Sequence, residues 1–462
     1  MQPRVQDRCS LQFRGFRNGA LNIACQYCPD IMTPTNEMQS TRRIGRIGAL
    51  LSQQRGLLRD YFSAVSGAGG RLVFSLIYFV ALANTLSLAD FGRFATASAA
   101  GVMLSRLLSF GFISALYRTA TIRPNLIGTY TAGFLLLGVM SLPVLALASG
   151  VVYLLFFKGE MALAIFAAVV FAEALLWRPV EVVIIVNNGR GRFGRASVMS
   201  IMGTLLRALF AAVFLFWPSR TLADWSFFYI AANAVSLLIA GIWFYPRQRL
   251  RLRMPLYMRR LTDSVYVAGS EVLFYLQMEF DKLLVLSIGG PHLAGLYAII
   301  MRLVDLTAIP IRTFSMMLVQ RMMRAPEMLK RLRVRVGIEL GVFVVSTLAL
   351  LVLAVILHFF PNALGRNVGE AAPLVLLAVF VPGLRNLVEY QAELLFARGQ
   401  TLLRAINLAL LAGLKALLLT YVLTRGLETS QLIWVLNGVF ALLWLVSAAL
   451  TYPALRRPAR AI

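Results

Sequence analysis

What most constrains this chain is the length of its apolar runs. Stretches of about 20 to 30 predominantly apolar residues, each enough to cross a bilayer core of about 30 Å, recur along nearly all of it. In lipid the backbone must satisfy its own hydrogen bonds, so stretches of this kind are read as helices. Only 14% of the residues are charged, against about a quarter in soluble globular domains. Read against charged and Pro/Gly breaks, the runs predict twelve spans: 61–84, 91–117, 125–157, 161–188, 195–217, 223–245, 262–290, 293–319, 336–360, 373–397, 402–423 and 430–453. The expected fold is an all-α polytopic membrane protein with two six-helix lobes, 61–245 and 262–453, joined by a basic linker at 246–261. The third run is long for a straight span, and Pro143 offers a kink.

Residues 1–39 read as a disordered basic extension without the apolar core of a cleavable signal peptide, and Met38 offers a second start. Over 40–60, Ile44, Ile47, Leu51 and Leu58 share one face with arginines around them, the pattern of an amphipathic helix on the inner leaflet. The cysteines, Cys9, Cys25 and Cys28, all lie in the extension; the single Cys-x-x-Cys lacks the second pair a zinc site needs. Residues 454–462 form a short tail.

Lys and Arg set the orientation. The N-terminal segment, alternate loops and the tail carry 31 of them, while the opposite loops carry only Lys158, Arg220, Arg366 and Arg425. The positive-inside rule therefore places both termini in the cytoplasm. The net charge of +25 is then topology and attraction to anionic headgroups of membrane lipids, with no nucleic-acid partner implied. Gly189, Gly191 and Gly194 have the spacing of a dinucleotide fingerprint, but the loop lies between two spans with no preceding strand.

That loop belongs to an internal repeat. A shift of 208 residues places Val180-Glu181 on Val388-Glu389, Arg190-Gly191 on Arg398-Gly399 and Arg207-Ala208-Leu209 on Lys415-Ala416-Leu417. A shift of 203 places Gly92-Arg93-Phe94-Ala95 on Gly295-Leu296-Tyr297-Ala298. Six spans separate equivalent segments, so the halves are expected to be parallel repeats about the membrane normal.

Nine bases fall inside spans and away from their ends: Arg71, Arg106, Arg178, Arg207, Lys282, Arg302, Arg312, Arg385 and Lys415. Eight acids accompany them: Glu173, Glu181, Glu271, Glu279, Asp281, Asp305, Glu389 and Glu393. Facing lipid, such a set would cost roughly 40–60 kcal/mol, so it must pair internally or line a hydrated interior. Arg385, Glu389 and Glu393 can pair within one helix; Arg71, Arg106, Arg207 and Lys415 have no acid within two turns of their own helices. The expectation is a central cationic cavity that takes an anionic guest, since guanidinium forks suit diphosphate. Arg71, Arg106, Arg207, Arg302 and Lys415 are the first candidates for substrate binding, with Lys282 and Arg385 next. Glu181, Glu389 and Glu173 are candidates for H⁺ or Na⁺ coupling; no other cofactor is expected. Pro179, Pro310 and Pro382 could bend their helices during alternating access or serve as static kinks. No Walker A sequence and no large loop is present, so no enzyme activity is expected.

The segment Gln277-Met-Glu-Phe-Asp281-Lys282-Leu-Leu-Val-Leu-Ser-Ile-Gly289-Gly290, continuing through Leu293-Ala-Gly295-Leu-Tyr297-Ala-Ile-Ile-Met-Arg302, resembles the span-7 to span-8 signature of polysaccharide-biosynthesis flippases. These belong to the multidrug/oligosaccharidyl-lipid/polysaccharide exporter superfamily. Ala89-Asp-Phe-Gly92-Arg-Phe94, Ser109-Phe-Gly111-Phe and Ala397-Arg398-Gly399-Gln400 resemble its counterparts elsewhere. The resemblance implies movement of polyprenyl-diphosphate-linked oligosaccharide to the outer leaflet of a bacterial inner membrane, for O-antigen, capsule or exopolysaccharide assembly. It also implies a polysaccharide polymerase and chain-length proteins as partners. Two other readings stay open: an ion-coupled antiporter of cationic drugs, and a non-transporting scaffold for glycan assembly.

Overall fold

The computed structural model describes residues 69–324 and 332–455, the side chains of 309–310 and 312–332 aside. The N-terminal extension, the 40–60 helix, the start of the first span, the Arg312 side chain and nearly all of the tail lie outside the described residues. No strand occurs among the described residues.

The helices of the first half are α1 (Gly69–Thr85), α2 (Leu88–Leu104), α3 (Ile113–Ile122), α4 (Ile127–Phe156), α5 (Leu163–Phe171), α6 (Arg178–Gly189), α7 (Phe193–Phe214) and α8 (Leu222–Ile239). The second half holds α9 (Met254–Arg324), α10 (Leu332–Phe359), α11 (Arg366–Val375), α12 (Val381–Ala397), α13 (Thr401–Thr424) and α14 (Thr429–Leu455). By length and composition eight helices could cross a membrane. Twelve segments result when α9 is divided at Gly290, where φ is +80°. The remaining three are α1, the charge-bearing pair α5–α6, and the pair α11–α12, bent by 65°. The chain is a multi-pass helical membrane protein.

The prolines act in different ways. Pro143 sits inside an unbroken 30-residue α4, so the over-long third run is one continuous helix. Pro179 follows a π-turn, Ala172–Trp177, in which the Arg178 N–H donates to Glu173 O. Pro has no N–H and its ring crowds the preceding turn, and a widened turn absorbs that misfit. Pro382 begins α12 just past the 65° bend.

The span-2 region departs from the expected single helix. After α2 the chain unwinds over Ser105–Gly111, with Ser109, Phe110 and Gly111 in the left-handed region at φ 56°, 48° and 72°. Two non-glycine residues at positive φ are costly, and the break is held from outside. The Ser109 N–H donates to Ser141 Oγ (2.9 Å) and Ser109 Oγ donates to Phe134 O (2.8 Å).

The repeat is visible in backbone detail. The α6–α7 and α12–α13 turns have Gly191 at φ +68° and Gly399 at φ +69°. Arg192 and Gln400, 208 residues apart, precede their helices at φ −93°, ψ 55° and φ −91°, ψ 55°. The glycine-rich motif is therefore a helix–helix turn. The second alignment has a spatial meaning as well. Gly92 and Gly295 face each other across α2 and α9, so that a Cβ on Gly92 would lie 2.5 Å from Gly295 N. Two equivalent residues touching across the halves is what a pseudo-twofold axis produces.

The lobes are sealed at the charge-poor face. Asn84 Nδ2 donates to Leu364 O (2.9 Å), and Asn367 Nδ2 donates to Ala83 O (2.6 Å) and Leu86 O (2.9 Å).

Candidate functional site

The break in α2 delivers Arg106 to a carboxylate of another helix. Its guanidinium is buried, 3.0 Å from Glu181 on α6, and lies over the Tyr275 ring at 4.2 Å. Glu181 also accepts from Arg178 (2.7 Å), whose other arm reaches Glu271 on α9 at 2.8 Å. This chain of four charges ties the N-terminal helices to the first half of α9.

Arg207 on α7 sits in a cage. It donates to Asn233 Oδ1 at 3.0 and 2.7 Å, stands 3.4 Å from Glu173, and lies over the rings of Trp177 (4.0 Å) and Tyr229 (5.0 Å). Glu173 is buried and accepts from the hydroxyls of Tyr229 and Ser98 (2.7 Å for the latter). Every oxygen of this carboxylate is engaged.

The repeat-related Lys415 on α13 solves the same problem with a different acid. It lies 3.1 Å from Asp281 on α9 and donates to Gln277 O at 2.8 Å. Asp281 in turn accepts from Tyr297 Oη at 2.5 Å. Lys415 and Asp281 are 1% and 0% exposed, so neither meets solvent in this conformation. Arg385 on α12 lies 3.3 Å from Asp305 and 4.0 Å from Glu389. Lys282 pairs with Glu279 at 2.5 Å, and Glu393 with Arg404 at 2.8 Å.

The expectation that Arg106, Arg207 and Lys415 stand without acids therefore holds only along their own helices. Across helices all three are paired, and a buried charge is tolerated when paired and hydrogen-bonded. Arg71 and Arg302 differ. Arg302 on α9 donates to Ser75 Oγ on α1, and no carboxylate among the described residues pairs with it. Arg71 is exposed by surface area and has no ion-pair partner among the described residues, yet it is within electrostatic reach of Glu181, Arg302, Arg207 and Tyr275. Those neighbours come from α6, α7 and α9, so Arg71 faces the space between the lobes.

The charges are thus unevenly distributed. Near α1, α2, α6 and α7, Arg71, Arg106, Arg178, Arg207 and Arg302 face Glu173, Glu181 and Glu271. The second cluster sets Lys282, Arg385 and Lys415 against Glu279, Asp281, Asp305 and Glu389. The cationic surplus is confined to the first.

Several of these partners are not legible in the sequence. Arg178 stands there only as a span charge, and Tyr229 and Asn233 carry no periodic signal that separates a polar ligand from ordinary packing, whereas Tyr275 shares a helical stripe with Glu271 and Lys282 and Tyr297 stands in the span-8 motif. Of the three coupling candidates, Glu181 and Glu389 keep partial exposure at 26% and 14%, whereas Glu173 is closed off. No group of three or more His, Cys, Asp or Glu able to hold a metal ion occurs among the described residues.

No family model matches the sequence, and no curated protein does. Solved structures do. An inward-facing multidrug resistance MATE family transporter of the MOP superfamily is similar at TM-score 0.62, with 13% identity over 84% of this chain and 93% of the other. The fold is that of the MATE transporters. A MATE structure in complex with MaL6 is similar at TM-score 0.60 and 13% identity, covering 87% and 95%. An outward-facing MATE family transporter is similar at 0.54 and 12%, covering 84% and 95%.

Proposed function

We propose that this chain is a membrane transporter that works by alternating access, and that its substrate is an amphiphilic anion with a phosphate or diphosphate head. A polyprenyl-diphosphate-linked glycan is the substrate that the sequence resemblance implies, moved from the cytoplasmic to the outer leaflet of a bacterial inner membrane. Polysaccharide polymerase and chain-length proteins would be its partners, and both termini would be cytoplasmic. The supporting observation is the pair Arg71 and Arg302. Among the described mid-span bases these two lack a carboxylate, and they lie on helices from opposite halves of the chain. A guest held between them would bridge the lobes. Arg106, Arg207, Lys282, Arg385 and Lys415, already held by acids, would shape and polarise the site and exchange partners as the lobes move. Of the acids, Glu181 and Glu389 are the candidates for H⁺ or Na⁺ coupling because they keep access to solvent.

A second reading, ion-coupled export of cationic drugs, is favoured by the multidrug transporters that share the fold and by the acidic balance of the second cluster. Flux in proteoliposomes separates the two. With polyprenyl-diphosphate-linked glycan as substrate, Arg71→Gln and Arg302→Gln should each cut flux about ten- to a hundredfold, the loss of one charge-assisted contact. Efflux of a lipophilic cation, with no movement of the glycan lipid and no effect of either substitution, would replace the first reading by the second.

A further inference from the structure

A recess of about 430 Å³ opens at the basic face, well away from the mid-span charges. One wall is the α6–α7 turn with Arg190, Arg192 and Arg195; the other is the end of α8 and the following strand-like segment with Trp243, Tyr245 and Arg247. The walls are fixed in place. Tyr245 Oη meets Thr131 Oγ1 at 2.5 Å, Gln248 Oε1 accepts from Gly128 N (2.8 Å), and Gln248 Nε2 donates to Pro124 O (3.0 Å). Asn187 Nδ2 ties the two walls together by donating to Phe244 O at 3.2 Å.

Four guanidinium groups line this recess, and none has an acidic partner among the described residues. Partial burial, and after it the nearby Arg192 and Arg195, push the Arg190 pKa down from its usual value. The repeat offers a partial contrast. In the second half Arg398, in the place of Arg190, likewise has no acid among the described residues, but Arg404 pairs with Glu393 at 2.8 Å, and Gln400, in the place of Arg192, donates to Ala454 O at 2.9 Å. In the first half Ile185 occupies the place of Glu393 and Arg192 that of Gln400, so this turn carries one more arginine and no acid of its own. Beside them Trp243 and Ile242 are 67% and 54% exposed. A tryptophan at a helix end on the border of apolar surface marks headgroup depth.

We propose that this recess binds the phosphate of an anionic membrane lipid, the arginines gripping its oxygens while Trp243 lies against the start of the chain. Guanidinium forks match phosphate oxygens in pairs, and the recess opens where a lipid head would lie. The phosphate can come from a bilayer phospholipid or from an isoprenoid diphosphate. The site does not depend on the proposed transport activity.

The test is native mass spectrometry of the full chain in detergent, titrated separately with phosphatidylglycerol, phosphatidylcholine and a long-chain isoprenyl diphosphate. Retention of phosphatidylglycerol or the isoprenyl diphosphate at least about tenfold above phosphatidylcholine is expected, and whichever anion is retained identifies the source. Arg190→Gln with Arg192→Gln and Arg195→Gln should lower that retention on the order of a hundredfold. Replacing three exposed arginines of the same face outside the recess, Arg118→Gln, Arg259→Gln and Arg333→Gln, should change it less than about threefold. Equal loss in both triple variants, or equal retention of phosphatidylcholine, would overturn the proposal. In case the recess variant fails to fold, millimolar inorganic pyrophosphate should displace the lipid from the unaltered protein, and failure to do so would also overturn it.

Discussion

Lys415→Ala separates a structural base from a substrate-binding one. The substitution removes the ammonium 3.1 Å from Asp281 and strands a carboxylate that is 0% exposed, leaving it the hydroxyl of Tyr297. It also removes the donor to Gln277 O. Breaking one side of a buried pair costs about 3–5 kcal/mol. Arg385 and Lys282 lie within electrostatic reach of Asp281, so the lower end applies, about 3 kcal/mol. With an unfolding entropy of about 2.1 cal/mol/K per residue over roughly 390 residues, the full range corresponds to a drop of about 4–6 °C in melting temperature, and the lower end to about 4 °C. The assay is the fraction of detergent-solubilised protein that still elutes as a folded monodisperse species after heating. Combining Lys415→Met with Asp281→Leu should restore the midpoint to within about 1–2 °C, because replacing both partners with apolar groups leaves no stranded charge. If Lys415→Ala melts like the unaltered protein but no longer transports, the pair is not structural and Lys415 returns to the substrate site.

Three further outcomes are expected. Gly92→Leu places a Cβ 2.5 Å from both Gly295 N and Pro291 O. It should force α2 and α9 apart and lower disulfide formation between Asn84→Cys and Leu364→Cys by about tenfold in a background free of Cys9, Cys25 and Cys28. Glu271→Gln weakens the bridge to Arg178 that joins the lobes in this conformation, and the same cross-link should fall by about two- to fivefold; an unchanged yield would show that the bridge does not bias the lobes toward this conformation. Gly111→Ala imposes a side chain at φ +72°, with its Cβ 2.4 Å from Ser264 O. A loss of about 2 kcal/mol or more, read as a lower midpoint in the same thermal assay, should follow.

Solvent and period were legible in the chain itself. Apolar run length told of helices in lipid because a bilayer sets one thickness for every span, and the structure is all-helical with the repeat intact. The paired turns at Gly191 and Gly399 could be read from Arg-Gly alone because a positive φ restricts the residue that can occupy it. Pairing could not be read. Arg106, Arg207 and Lys415 find Glu181, Glu173 and Asp281 on other helices, and helical spacing speaks only of neighbours three and four residues away. The break at Ser109 was equally hidden, since its cost is met by Ser141 and by the Phe134 carbonyl on α4. The residues alone thus determined the solvent, the number of segments and their symmetry, all of which follow from distances along the chain. Which charges are neutralised, and that Arg71 and Arg302 lack a carboxylate among the described residues, was decided by tertiary packing, because Coulomb and hydrogen-bond energies depend on distances through space.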